Sequence, residues 1–179
     1  MLRNTTQVEA RKRQLISSVL ALLLIGSATA HSHETDTHFE MTVIRNAAFG
    51  SKIAAGQTQF AIDKIEAARS RPKDRFFVKN NLCVAYTMTS DFDKAASECD
   101  AAVEAVQSKA RHLDDIDSVI YARYTAMALS NRGVLRAMLG QPDKARTDFE
   151  QARKLPVSFS ASRKNLEHLN IRTAQATVQ

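Results

Sequence analysis

Three histidines and two carboxylates lie close together near the N-terminus of the chain. They are His31, His33, Glu34, Asp36 and His38. Imidazole nitrogens suit zinc, copper and nickel, so this group is a candidate metal site. The surrounding residues 31–41 have no helical apolar stripe, which favours a flexible polar leader over a scaffolded metal centre. Metal handling by this leader stays open as an alternative function, and we predict no resident cofactor.

The other reactive side chains do not form a pattern typical of catalysis. The sequence has no glycine-rich phosphate loop, no serine nucleophile elbow and no helical zinc motif. His112 and His168 are isolated in the sequence, and Cys83 and Cys99 do not form a Cys-x-x-Cys redox pair. We therefore predict that the protein is not an enzyme.

Residues 1–30 have the three-part pattern of a secretion signal. A basic start is followed by an apolar run from Leu15 to Gly26 and then by the small residues Ala28-Thr29-Ala30. The apolar run is shorter than the ~20 residues that span a bilayer, which favours a cleaved signal peptide. An uncleaved N-terminal membrane anchor is the alternative. We predict a periplasmic or secreted protein without stable membrane insertion after cleavage.

The charge of the chain is concentrated in this signal. The whole sequence carries a net charge of +6, and residues 1–30, with four basic residues and one acidic residue, account for +3. The remaining +3 is ordinary for a solvated helical surface. Nucleic-acid binding requires a basic stripe interleaved with stacking aromatic residues. The best candidates, Arg69, Arg71, Lys73 and Arg75, lie in or beside a predicted turn that also holds Asp74, so we interpret them as solvated. We predict no nucleic-acid partner.

Three stretches of the chain repeat one spacing of small residues. A turn residue is followed five positions later by an alanine, and seven positions after that by a second alanine. The three sets are Gly56-Ala61-Ala68, Ser90-Ala95-Ala102 and Gly140-Ala145-Ala152. A small turn residue followed by alanines one heptad apart is what two antiparallel helices need for close packing. The sequence therefore predicts stacked helical hairpins.

Further residues around these sets strengthen the pattern. The middle copy has Asn81-Leu82, Ala85-Tyr86 and the run 90–95, SDFDKA; the last has Asn131-Arg132-Gly133, the run 139–145, LGQPDKA, and Phe149; the first, degenerate copy has Phe49-Gly50, Ile65 and Pro72. These motifs resemble the tetratricopeptide repeat, a helix–turn–helix unit of 34 residues. The resemblance implies an all-α fold: a right-handed α-solenoid of about three helical hairpins plus a C-terminal capping helix. It also implies binding to proteins or peptides.

The resemblance covers residues 42–158, with repeats at about 42–72, 76–108 and 124–158. Apolar residues recur at helical spacing from Thr42 to Ala54, so we predict a helix there. Ala95 and Ala145 are 50 positions apart instead of 34, and the extra residues across 107–124 are expected to lengthen the flanking helices. One of these should run from about 116 to 139. Residues 159–179 are expected to form the capping helix and a frayed tail.

The two cysteines fall level with each other in the predicted second hairpin. Folding the chain about Ser90-Asp91 pairs positions whose numbers sum to about 181 or 182, and Cys83 and Cys99 sum to 182. Export would place the chain in an oxidising compartment, where thiols tend to pair. We predict a structural Cys83–Cys99 disulfide. Two buried free thiols are the alternative.

The resemblance implies that the first helix of each hairpin lines a concave groove that holds the ligand. The candidate partner-binding residues at the matching positions are Asn80, Asn81, Val84, Met88, Asn131, Val134 and Met138. Asparagine can donate and accept, so it can hold an extended backbone whatever its side chains are. Valine and methionine supply an apolar strip suited to varied partners. Alternatively, the asparagines pair with neighbouring helices and the apolar residues belong to the core.

These observations favour a non-enzymatic protein-interaction module or adaptor, exported to the periplasm. It would bind a peptide or a segment of a partner protein in its groove, and the sequence does not identify that partner. Two alternatives remain: metal handling by the leader, and a self-associating structural protein that forms homo-oligomers. The sequence also leaves open whether the groove is empty or is filled by the leader or the C-terminal tail.

Overall fold

The computed structural model describes residues 38–68, 75–110 and 115–176. The helices in these ranges are α1 Gly50–Ala54, α2 Thr58–Ala67, α3 Arg75–Met88, α4 Phe92–Ala110, α5 Asp115–Met138, α6 Pro142–Lys154 and α7 Ser160–Ala176. The described part of the chain contains no strand, so the all-α prediction is confirmed. The predicted signal peptide, the leader up to residue 37 and the end of the tail lie outside the described residues.

Each helix packs against its neighbours in sequence, from the α1–α2 pair to the α6–α7 pair. Alternate helices also touch, because α1 contacts α3, α3 contacts α5 and α5 contacts α7. These four helices therefore form one row. Among the described residues, no helix is both long and apolar enough to cross a membrane.

All of the repeated small residues except Ala68 lie at turns or buried helix contacts, as their spacing predicts. The turn residues Gly56, Ser90 and Gly140 all adopt positive φ angles, of 78°, 61° and 69°. In that conformation the chain reverses direction directly after a helix. The alanines that follow, Ala61, Ala95 and Ala145, are completely buried because two helices approach closely at each of them. Ala102 and Ala152 are buried as well, whereas Ala68 directly follows the short helix α2 and is exposed.

The long helix is present, and residues 159–179, which were expected to cap the domain, also contain a helix. Helix α5 runs from Asp115 to Met138, against the prediction of about 116 to 139, and α7 covers Ser160–Ala176. Helix α4 extends to Ala110, so both helices that flank residues 111–114 are long.

The predicted helix from Thr42 is wrong in its first half. Helix α1 begins only at Gly50, and residues 39–44 are not helical. Ala48 and Phe49 have φ angles of 44° and 56°, which a right-handed helix does not accommodate. An extended backbone needs partners for its polar groups, and residues outside this segment supply them, as described below. The leader was also predicted to be flexible to residue 41, but from residue 39 it is half-buried against the helices.

A partly buried ion-pair cluster around Asp148 joins α5 to α6. Arg132 donates two hydrogen bonds to the buried carboxylate of Asp148, at 2.7 and 3.0 Å, and Arg136 donates a third at 2.9 Å. Arg132 also reaches Asp100 on α4, at 3.0 Å. Burial alone lowers the pKa of the Arg132 guanidinium. Its hydrogen bonds and charge pairing with Asp148 and Asp100 outweigh burial, so this pKa is raised above its ordinary value.

Cys83 on α3 and Cys99 on α4 form the predicted disulfide, with their Cα atoms 4.7 Å apart. Both residues lie in the core, with exposures of 1% and 0%. The bond closes a loop across the α3–α4 turn, and the neighbours of Cys83 on α3 include the buried Asn80 and Asn81.

Replacing both cysteines by alanine should lower the free energy of unfolding by about 3 kcal/mol, because the cross-link restricts the unfolded chain. Urea unfolding followed by circular dichroism, with and without a reductant, measures the change. The reductant should destabilise the wild type by a similar amount and leave the double variant unaffected. An equal effect of the reductant on both proteins would contradict a structural role for the disulfide.

Candidate functional site

A segment of the chain itself lies along the row of helices α3, α5 and α7. We call residues 38–44 the groove segment. Each of three asparagines, one from each helix, holds both polar groups of one segment residue. Asn165 accepts from the Glu40 N–H at 2.7 Å and donates to the Glu40 carbonyl at 2.8 Å. Asn131 does the same for Thr42, at 2.8 Å in both directions.

Asn81 completes the set at the other end of the groove segment. It accepts from the Ile44 N–H at 2.8 Å and donates to the Ile44 carbonyl at 3.0 Å. Its amide also donates to the Ala47 carbonyl at 2.8 Å, which fixes the turn before α1. Only an extended backbone presents the N–H and C=O of every second residue on one side. The groove segment is therefore extended, and we call the three asparagines the asparagine ladder.

Polar neighbours orient the asparagine ladder. Asn131 donates to Oδ1 of Asn80 at 3.0 Å, and Asn165 donates to Oγ of Ser130 at 3.2 Å. In both cases the support comes from the residue just before the ladder position on the preceding helix of the row. Asn80 also donates to the Thr42 carbonyl at 3.1 Å. All three ladder asparagines and Asn80 have 0% exposure, so their hydrogen-bonding geometry is fixed inside the protein.

Gly50 allows the groove segment to approach α3. A Cβ atom at this position would lie 2.1 Å from the Ile44 carbonyl oxygen and 2.7 Å from Nδ2 of Asn81. Any side chain at position 50 would therefore push the end of the segment off the asparagine ladder. Gly50 lies in a helix, where the backbone would accept other residues. Glycine is therefore required by this close contact and not by the backbone conformation.

The side chains of the groove segment alternate between two sides of the ladder. Phe39, Met41 and Val43 line an open cavity of about 620 Å³, together with residues from the C-terminal halves of α3, α5 and α7. Phe39 packs edge-on to His168, with ring centres 4.5 Å apart, and Arg172 lies 5.6 Å from the centre of its ring. We call this space the groove cavity.

Glu40 and Ile44 point away from the groove cavity, whereas His38, at the start of the segment, lines it. Glu40 pairs with Lys164 at 2.6 Å, and Ile44 packs against an apolar cluster that includes Phe76. The segment is thus anchored by its backbone from below and by side chains on both flanks.

The structure brings all seven predicted partner-binding residues to this region, but in two different roles. Asn80, Asn81 and Asn131 are fully buried and hold the protein's own backbone. The other four predicted residues line the groove cavity: Val84, Met88, Val134 and Met138. Of these, the two valines are buried, while Met88 and Met138 are 54% and 46% exposed.

Sequence reasoning missed the third copy of this pattern, on α7. Asn165, His168 and Arg172 each lie 34 positions after Asn131, Val134 and Met138. They occupy the equivalent places on the asparagine ladder and in the groove cavity. Extending the 34-residue period into the capping helix would have found them. The groove segment also had a signal, because apolar and polar residues alternate from Phe39 to Val43, as in a strand.

The rim of the groove cavity is basic. Arg45 and Arg172 line it, and both are exposed. No Asp or Glu is among the described residues that line this cavity. Over the described ranges, no three His, Cys, Asp or Glu residues come together in a way that could hold a metal. Four of the five leader residues considered for metal binding lie outside those ranges.

The amide protons of the groove segment should exchange with solvent in an alternating pattern. The N–H groups of Glu40, Thr42 and Ile44 are held by buried asparagines, so they should exchange at least about tenfold more slowly than those of Met41 and Val43. Hydrogen exchange followed by NMR, corrected for intrinsic rates, measures this. Uniform exchange along the segment would show that it does not rest on the asparagine ladder.

Asn131→Ala should lower the free energy of unfolding by roughly 3 kcal/mol, because it leaves the Thr42 N–H and Oδ1 of Asn80 without a buried partner. Urea unfolding measures the loss, and the amide of Thr42 should lose its slow exchange. Asn46→Ala is the matched control, since Asn46 is exposed, and it should change the stability by less than about 0.5 kcal/mol. Equal stability of the two variants would argue against the ladder.

Comparison of the chain with protein-family models, with curated proteins and with solved structures gives no match. The resemblance to the tetratricopeptide repeats is therefore a prediction from the residues quoted above. The helical hairpins, the asparagine ladder and the groove cavity are properties of this chain's own structure.

Proposed function

We propose that this protein is an exported, non-enzymatic interaction module of the tetratricopeptide-repeat type, an α-solenoid that binds a segment of a partner protein in its concave groove. The partner would occupy the open part of the groove, over the groove cavity. The groove segment and the asparagine ladder would form the floor on which the partner rests.

The exposure of Met88 and Met138 is the observation that carries this proposal. The two residues end α3 and α5, occupy equivalent positions, and flank a cavity of about 620 Å³. Large apolar side chains held half-exposed around a concave surface are typical of ligand sites. Methionine is flexible and polarisable, so it adapts to more than one ligand shape.

The occupied asparagine ladder decides where the partner binds. The groove segment is joined to α1 by only the turn 45–49, so its local concentration at the ladder far exceeds that of any partner in solution. A partner that needed the ladder would have to displace Glu40, Thr42 and Ile44, each of which makes two hydrogen bonds to an asparagine. Binding beside the segment needs no such displacement, and it leaves the buried hydrogen bonds intact.

The Cys83–Cys99 disulfide supports the exported location. Structural disulfides persist in oxidising compartments such as the periplasm and are rare in the reducing cytosol. In this chain the bond is fully buried, as expected of a structural cross-link.

A photo-crosslinking amino acid at position 138 tests the proposal. Placed there, p-benzoylphenylalanine should capture a partner in living cells, because the side chain lies at the groove cavity. The same residue at position 120 is the matched control, since Ile120 is 49% exposed on the same helix but does not line the cavity. The two proteins should have the same thermal stability.

The charged double variant Met88→Glu/Met138→Glu should lose this partner in an affinity capture, while Val119→Glu/Ile120→Glu keeps it. Glutamate at the cavity would replace apolar contacts with a charge that binding must desolvate, and a loss of at least about tenfold in affinity is expected. Capture that does not distinguish the two double variants would refute the groove as the binding site.

A further inference from the structure

The groove segment has a second edge that the asparagine ladder does not use. In an extended chain, the N–H and C=O groups of successive residues point to opposite edges. The groups of Glu40, Thr42 and Ile44 point down to the ladder. Those of Phe39, Met41 and Val43 must therefore point away from the buried asparagines.

This outer edge is unpaired within the described part of the chain. The backbone N–H and C=O groups of Phe39, Met41 and Val43 have no hydrogen-bond partner there. These three residues are half-buried, and all three line the open groove cavity. Protein strands with a free edge usually carry lysine, proline or a bulge that discourages pairing. Residues 38–44 contain neither lysine nor proline.

We propose that the outer edge of residues 39–43 binds the partner by strand addition. An extended segment of the partner would pair with these residues through main-chain hydrogen bonds, as peptides do at exposed sheet edges. The inference rests on the proposed function and specifies its binding mode. It differs from binding by side chains alone, because the N–H and C=O groups of the groove segment would carry much of the affinity.

The surroundings of this edge also specify the chemistry of the partner segment. An added strand would place every second side chain over the groove cavity, beside Met88 and Met138, so apolar residues are expected at alternate positions. Arg172 lies near Phe39 at one end of the cavity, and Arg45 follows the segment at the other. Neither arginine has an ion-pair partner among the described residues.

Carboxylates near both ends of the partner segment would pair with these two arginines. Five extended residues span about 17 Å. The expected ligand is therefore an extended segment of about five to seven residues, with alternating apolar side chains and an acidic residue near each end.

A displayed library of random nine-residue peptides, selected on the disulfide-bonded protein, tests this inference. Selected peptides should show the alternating apolar pattern with acidic ends. The best of them is then synthesised with N-methyl groups on alternate residues, in each of the two possible registers. N-methylation of the edge that faces the protein should weaken binding by at least about tenfold, and the other register should have little effect.

Substitutions in the protein test the same main-chain hydrogen bonds between the groove segment and the peptide. Val43→Pro removes an outward N–H and leaves the ladder's donors at positions 42 and 44 in place. Val43→Ala removes a similar amount of side chain but keeps the N–H. Affinity for the selected peptide should fall about tenfold in the proline variant and no more than about threefold in the alanine variant. Slow exchange of the Thr42 amide verifies that both variants fold.

Other results would distinguish a failure of strand addition from a failure of the proposed function. Peptides that are lost by Met88→Glu/Met138→Glu but ignore both N-methylation and Val43→Pro would refute strand addition and leave the groove function standing. A failure to select any peptide, together with no crosslinked partner, would refute both. A wild-type dimer in light scattering that Val43→Pro converts to a monomer would assign the edge to a second copy of this chain, which contradicts a separate partner.

Discussion

The double hydrogen bond between an asparagine side chain and the backbone of one extended residue is the interaction on which this structure depends. One such pair alone would be a local detail. This pair of hydrogen bonds recurs at Asn165, Asn131 and Asn81, and it holds the extended groove segment against three helices. It also determines which backbone groups of the segment face inward. The backbone of the groove segment is bound without secondary structure of its own, because the helices supply the partners that a sheet would supply. The groove cavity is therefore lined partly by this held segment and partly by helix residues.

The features of the fold that could be predicted from the sequence are those that depend on short-range spacing and on helical periodicity. The small turn residues, the alanines at helix contacts and the cysteine pair follow from spacing within one hairpin. The long α5 follows from the 50-residue interval between Ala95 and Ala145. The groove segment does not, since its partners lie 37 to 125 positions away in the sequence. Apolar periodicity alone fits a helix from Thr42 as well as it fits an extended chain. The hydrogen bonds to the asparagines favour the extended chain over the helix. The asparagines lie far from the groove segment in the sequence, so their local sequence does not show what they bind.

The candidate site shows the same division. The chain's resemblance to a repeat family located the groove positions, and the asparagines were expected to hold an extended backbone. That backbone belongs to the protein itself, so burial separates the asparagines from the exposed methionines that were assigned to the same role. Asn165 was missed because a capping helix was expected to protect the end of the domain, although it continues the 34-residue period.

The groove segment is synthesised long before the last helix that holds it. Glu40 is made 125 residues before Asn165, the residue that holds it. During synthesis, the segment must wait for almost the whole domain to emerge before its last contact can form. Until then, its backbone has free groups on both edges, which is when a nascent chain is most prone to mispairing. Closure of the segment across α3, α5 and α7 would then mark completion of the domain, since no shorter length of chain can provide all three asparagines.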